Sequence, residues 1–217
     1  MTEIVLMSDP KIAAIPVKDC DEPLLDVRRR DPFPVDTREQ DDAGAFAHVR
    51  EGVFNRLLDA RKLLPHGIQL LFIEGYRPPA VQSFYFERYA ERLRNDNPGW
   101  SSEQVRAAAS RFVSPPEIAP HSAGAAVDVT LVAADGQELG MGTPVDASPE
   151  VSEGACYTAA RNISSEARAN RQILAEALTA AGMVNYPTEW WHWSYGDRYW
   201  ALATGAGHAI YGPRELG

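Results

Sequence analysis

The chain is 217 residues long, enough to bury one sizeable core without disulfide support, and its 45% hydrophobic and 24% charged content excludes a disordered or fibrous protein. A net charge of −9 and a pI near 5.0 repel phosphate backbones and anionic membrane surfaces, so nucleic acid is not an expected partner. Cys20 and Cys156 are too few for a disulfide framework and fit no metal knuckle, which suits a reducing compartment.

Residues 1 to 45 carry Pro10, Pro16, Pro23, Pro32 and Pro34, which break any long element, so only short strands and loops are expected there. The first ten residues lack a basic region and a long apolar run, and no later run approaches the roughly twenty apolar residues of a membrane span. The expectation is a cytoplasmic protein forming one domain over 1–217, with 1–45 irregular. Arg28-Arg29-Arg30, flanked by Asp26 and Asp31, reads as a solvated loop.

From Val49 to Leu64 apolar residues recur mostly at helical spacing, predicting a helix over 46–64 that Pro65 ends. Ile68 to Ile73, bounded by Pro65-His66-Gly67 and Glu74-Gly75, reads as a buried strand. A second helix carries Val81, Phe84, Tyr85, Arg88, Tyr89 and Leu93, which puts Arg77 at the preceding strand-to-helix junction, a place where a scaffold can hold a head group at a cleft. Ser101 and Gln104 have the spacing of a capping box for a third helix, ending near Val113 before Pro115-Pro116. Ala125 to Ala133 reads as a strand containing Asp128, with His121 in the loop feeding it and Gly124 allowing a close turn. Asp135-Gly136 marks a hairpin return toward Leu139, and residues 142–161 look irregular. A fourth helix fits Ser164 to Ala181, capped by Asn162 or Ser164 and stopped by Gly182; strands are expected at Val184–Tyr186 and Trp190–Tyr195.

Two imidazoles, His121 and His192, with the carboxylate of Asp128 form a donor set suited to a divalent zinc ion, one per chain. Three protein ligands leave a fourth position open to water, which means chemistry rather than structure alone. Glu189, three residues before His192, is then a carboxylate placed to act as general base. On a regular strand residues three apart face opposite ways, so this role requires Glu189 to lie in a turn, which Pro187-Thr188 supplies. Trp190, Trp191 and Trp193 read as core and cleft wall; His48, His66 and His208 as structural or solvent-facing. Ser122 and Cys156 carry no recognisable nucleophile signature.

Four motifs in order resemble the zinc-dependent D-alanyl-D-alanine dipeptidases, related to D,D-carboxypeptidases and the hedgehog domain. They are Glu74-Gly75-Tyr76-Arg77-Pro78, His121-Ser122-Ala123-Gly124 with Asp128, Met141-Gly142-Thr143-Pro144 with Asp146, and Glu189-Trp190-Trp191-His192. The resemblance implies an α+β fold, a central antiparallel sheet flanked by helices, with zinc on His121, Asp128 and His192. It implies Glu189 as the base, Arg77 as the cation at the oxyanion, and Asp146 against the substrate ammonium, with Ser122 lining the pocket by its neighbourhood. The substrate implied is D-Ala-D-Ala or a closely related D-amino-acid dipeptide. This chain departs at Ala119-Pro120, where relatives commonly carry a Ser pair, and at Ala123, where they often carry Arg; the amino-terminal aromatic pattern is not evident in 20–48. These departures motivate two alternatives, a longer peptidoglycan-derived or other D-residue-containing peptide, and a non-catalytic zinc-binding module; the presence of both Glu189 and Arg77 argues against the latter.

Overall fold

The computed structural model describes residues 4–30 and 33–216; Met1 to Glu3, Asp31 and Pro32, invoked above, lie outside the described residues. In chain order the elements are α1 (Pro10–Ala13), β1 (Leu24–Asp26), β2 (His48–Arg50), α2 (Glu51–Leu63), β3 (Ile68–Glu74), α3 (Pro79–Asp96) and α4 (Ser102–Ala109). They continue with β4 (Ala126–Ala133), α5 (Ser165–Ala180), β5 (Val184–Asn185), β6 (His192–Ser194) and α6 (Arg198–Thr204). Strands β3, β4, β6 and β5 form, in that order, an antiparallel sheet, and β1 with β2 a separate antiparallel ribbon. The architecture is α+β, as expected.

The sheet has two chemically different faces. Leu70, Phe72, Val127, Val129, Leu131 and Trp193 point one way and pack with Val53 and Leu57 of α2 and Leu174 and Leu178 of α5. Asp128 and His192 alternate to the other face, and the register sets them directly opposite one another. Strict alternation would send Glu74 to the apolar face with Leu70 and Phe72. A register shift between Phe72 and Glu74 instead pairs Glu74 with Asp128, so the irregularity re-aims an acid toward the site. Glu74, Asp128 and His192 therefore form one row across three strands.

The α2 helix begins at Glu51, not at 46. Residues 45–47 make a 3₁₀ turn and His48–Arg50 pair with β1, Val49 lying opposite Leu25, so tertiary strand pairing overrides the helical spacing. The capping box at Ser101 and Gln104 is present, but α4 ends at Ala109 and the chain closes through turns to Val113. The Asp135-Gly136 return is tight, with Gly136 at φ 84° and the Ala133 amide donating to Gln137. Ser164, not Asn162, caps α5 by accepting from the Ala167 amide. The strand expected at Trp190–Tyr195 shrinks to β6. Helix α6, capped by Asp197, and the one-turn α1 were not anticipated.

Two buried arginines tether the non-repetitive segments. Arg50, 0% exposed, donates from Nε to Ala123 O (2.9 Å), from Nη1 to Glu22 O (2.7 Å) and from Nη2 to Gly212 O (3.1 Å), and pairs with Asp19 at 2.7 Å. It joins the amino-terminal segment, the carboxy-terminal segment and the turn that carries His121. Arg171 of α5 donates to Met141 O, Tyr157 O and Ala155 O at 2.7, 2.8 and 2.8 Å, which fixes both ends of the irregular excursion that contains Asp146. Burial pulls the Arg171 guanidinium down to about 10, since its partners are carbonyl dipoles with no carboxylate among them.

Arg50→Met should cost roughly 3 kcal/mol in urea unfolding at neutral pH, because it strands three carbonyls and a carboxylate. Burial alone would raise Asp19, but the Gly212 and Asp21 amides and Arg50 outweigh it and hold the carboxyl below its ordinary value. That stability is present above the unfolded carboxylate pKa and is lost as pH falls through the folded one. The gap between wild type and Arg50→Met should therefore be widest at neutral pH and narrow below about pH 4.

Candidate active site and metal centre

His121 lies in a 3₁₀ turn (His121–Ala123) closed by Gly124, whose φ of 64° is the left-handed conformation that favours glycine. This turn is clipped to the end of β3 by three bonds: the Arg77 amide donates to His121 O (3.2 Å), Ser122 Oγ to Arg77 O (3.0 Å), and His121 Nδ1 to Gly75 O (2.5 Å). The last bond makes Nδ1 the protonated ring nitrogen and leaves the Nε2 lone pair facing the sheet. There Nε2 lies 3.1 Å from His192 Nδ1 and 3.4 Å from Asp128 Oδ2, while His192 Nδ1 lies 3.1 Å from Asp128 Oδ1.

Those three groups are the sequence-derived donor set, brought together from two strands and a turn. In a tetrahedral site with bonds of about 2.0–2.1 Å, neighbouring donors stand about 3.3 Å apart. The observed spacings match, all three donors are buried, and two imidazole nitrogens with a carboxylate suit zinc better than an all-oxygen cation such as calcium. His192 Nε2 is buried without a hydrogen-bond partner among the described residues, so the ring is held through Nδ1 and by packing. The residues fit the ion.

Glu189 resolves the facing problem. The His192 amide bonds back to Glu189 O (3.3 Å) and the Glu189 amide to Tyr186 O (2.9 Å), so Glu189 occupies a turn and its Oε2 lies 3.8 Å from His192 Nδ1. It stands beside the donor set without belonging to it. Burial, then the charges of Asp128 and Asp146, push its carboxyl well above the usual carboxylate range. Burial would raise Asp128 too, but His121 and His192 outweigh it and hold that carboxyl well below the range. One acid is thus kept ionised and its neighbour kept protonatable.

Arg77 is held rigidly. Its Nε donates to Glu74 Oε1 (2.8 Å), its Nη2 pairs with Glu74 Oε2, its Nη1 donates to Gln82 Oε1 (3.0 Å), and its guanidinium lies 5.2 Å from the Tyr85 ring centre. Gln82, 1% exposed, donates in turn to Ser114 O. Glu74 raises the Arg77 pKa despite burial, so the cation is permanent. Two of its five N–H groups have no partner among these bonds and remain for a ligand.

A cavity of about 370 Å³ opens over these groups, lined by Arg77, His121, Asp128, Asp146, Glu189 and His192, and also by Glu39 and Trp191. Asp146 adopts φ 62°, a left-handed conformation that aspartate tolerates, and its side chain opens onto the cavity. Its carboxyl is raised by crowding against protein and by the nearby charges of Asp128, Glu74 and Glu39. Ser122 lies elsewhere. It is 0% exposed, it is not part of the lining, and its hydroxyl is committed to Arg77 O.

Three participants escaped the sequence reading. Glu74 and Gln82 fix Arg77; Glu74 stood inside a quoted motif, but nothing in its spacing announced the ion pair. Glu39 comes from the segment read as irregular, which runs along β3 through bonds between Asp36 N and Phe72 O (2.8 Å) and between Phe72 N and Pro34 O (3.0 Å).

The family model described as D-ala-D-ala dipeptidase matches residues 42–204, which contain every donor and acid above except Glu39. This chain belongs to that family. It is a metallopeptidase. A D-alanyl-D-alanine dipeptidase of Synechocystis sp. is 32% identical, the match covering 87% of each chain, and one of Enterococcus faecium is 30% identical over 65% of this chain and 69% of its own. Among solved structures, a vancomycin-resistance D,D-pentapeptidase in complex with Zn(II) matches at 19% identity and a TM-score of 0.42, covering 82% of this chain and 90% of its own.

The purified protein should carry about one zinc per chain by atomic emission, as an open three-donor site implies. Asp128→Ala should lose it. Chelation should lower the melting temperature of the wild type and leave that of Asp128→Ala unmoved, because a ligand stabilises only the protein that binds it.

Proposed function

We propose that this chain hydrolyses D-Ala-D-Ala or a closely related D-amino-acid dipeptide, with zinc on His121, Asp128 and His192. The observation that carries the reading is the meeting of those three donors beside a protonatable Glu189, all facing one cavity with Arg77. The names of the curated relatives support the substrate.

Bound zinc supplies Lewis acidity, polarising the scissile carbonyl and acidifying water. Glu189 takes a proton from the attacking water at its carboxylate and later returns one to the departing amine nitrogen. Water's oxygen ends on the carbonyl carbon, the C–N bond breaks, and two free amino acids leave. Arg77 presents its unpaired N–H groups to the oxygen that becomes negative, and Glu74 and Gln82 hold that guanidinium in place so it need not reorganise. Asp146 receives the free ammonium of the substrate at the cavity wall. Trp191 helps keep water out.

The same proposal takes residues 1–217 as one metallopeptidase domain working in the cytoplasm. Two unpaired cysteines support the compartment, and no helix among the described residues is long and apolar enough to cross a membrane.

With zinc restored, the wild type should release free D-Ala from D-Ala-D-Ala. Glu189→Ala should abolish release while zinc content stays at the wild-type level; hydrolysis persisting in that variant would remove Glu189 as the base. Arg77→Ala should lower kcat by about two to three orders of magnitude, the loss expected for a donor that acts mainly on developing charge.

A further inference from the structure

The cavity carries charges of both signs. Asp128 of β4 and Asp146, Glu189 and Glu39 of turns and loops supply its acids, whereas α3 brings two cations, Arg88 and Arg92, to its lining. Tyr85, Arg88, Tyr89 and Arg92 stand at i, i+3, i+4 and i+7, one face of α3, and all four line the cavity. This face starts from Gln82, which is bonded to Arg77, and runs outward, reaching Arg88 about 9 Å further along the helix axis.

Side chains in a helix tilt back toward its amino terminus, so the Cα–Cβ bond of Arg88 is directed toward the end of α3 that follows Arg77. Arg92 already faces Asp96 at 3.7 Å, and Tyr89 is hydrogen-bonded to Glu150. Arg88 makes no ion pair or side-chain hydrogen bond among the described residues. It is the free cation on that wall.

We infer that Arg88 binds the carboxylate of the substrate's carboxy-terminal residue and so selects a free C-terminus on the leaving side of the scissile bond. The inference rests on the dipeptidase reading and deepens it. A dipeptide zwitterion carries its ammonium and its carboxylate at opposite ends, and the cavity draws its acids and its free cation from different elements. The terminal carboxylate lies about one residue, roughly 3.8 Å, beyond the scissile carbonyl, within the span a long arginine side chain covers from α3. Because the contact is the same before and during reaction, it acts on KM more than on kcat.

The test compares D-Ala-D-Ala with its C-terminal amide, D-Ala-D-Ala-NH2, on zinc-loaded protein. The wild type should prefer the free acid in kcat/KM. Arg88→Ala should shrink that acid-to-amide ratio by about five-fold, mostly through KM, the upper end for an exposed ion pair. Arg88→Lys should restore part of the ratio, and Arg94→Ala, on the same helix but outside the cavity lining, should keep it.

Calorimetric binding of the acid and the amide to zinc-loaded Glu189→Gln, with and without Arg88→Ala, gives the same comparison without turnover. If the wild type cleaves neither dipeptide while Glu189→Gln still binds the acid more tightly through Arg88, the hydrolytic reading fails and the carboxylate subsite stands. An acid-to-amide ratio that is unchanged by Arg88→Ala, in turnover or in binding, overturns the assignment.

Discussion

A buried carboxylate wedged between two imidazoles is the interaction on which the rest of this structure depends. Asp128 sits on the central strand β4 with 3% of its surface exposed, where an isolated charge would be strongly disfavoured. His121 and His192 outweigh that cost and hold it ionised. The arrangement is possible because β6 pairs with β4 so that His192 faces Asp128 directly, and because the 3₁₀ turn before β4 brings His121 in from the side. A one-residue slip of β6 would turn His192 into the apolar face and bring Trp193 out. The apolar face therefore fixes the site's register from behind: Trp193, Val127 and Val129 have to remain in the core with α2 and α5.

Strands alone position only part of the machinery. His121 and Asp146 lie on irregular segments, and each segment is secured by a buried guanidinium that spreads its donors over backbone carbonyls. Arg50 reaches Ala123 O in the His121 turn; Arg171 reaches carbonyls on both sides of Asp146, at Met141, Ala155 and Tyr157. An arginine can do this where a lysine cannot, because its planar fork offers five fixed donors with a diffuse charge. A third arginine, Arg77, has its own position set by Glu74 and Gln82, which leaves the remaining N–H groups for a ligand. Rigid acceptors thus convert flexible side chains into fixed parts of a site.

The extent to which this was legible in the sequence follows the range of the interactions. β3, α3, α5 and the Asp135-Gly136 return rest on local periodicity and turn chemistry, and they formed close to where the residues implied. The metal donors were legible as a joint motif, since no single histidine would have carried the reading. What escaped depends on distant partners. His48–Arg50 left the helical pattern because β1 pairs with it, and α6 was overlooked although Asp197 caps it and Gly205 ends it. The shift that turns Glu74 toward Asp128 is invisible in Ile68–Glu74, whose run, Gln69 apart, is apolar on both faces until its last residue. Ser122 shows the opposite error. Proximity in sequence to His121 suggested the pocket, whereas its hydroxyl faces the Arg77 backbone.

The distribution of charge explains why such a site is tolerated and what it is built to receive. Around Arg77 stand Glu74, Asp128, Asp146, Glu189 and Glu39, and only Glu74 forms a close pair with it. Burial first, and the crowding of like charges after it, raise Glu189, Asp146 and Glu39, so the protein keeps an electrostatic tension that an ordinary core would have eliminated. A divalent ion at the imidazoles and, on the proposed reading, an ammonium at Asp146 are both cations, and each would relieve part of that tension. Such crowded acids favour a bound cation. The carboxylate subsite inferred above calls for a positive group outside that cluster, because Arg77 is already paired with Glu74. Helix α3 provides that separation: it leaves the centre at Gln82 and carries Arg88 about two turns outward, beyond the close ion pairs but still on the cavity wall.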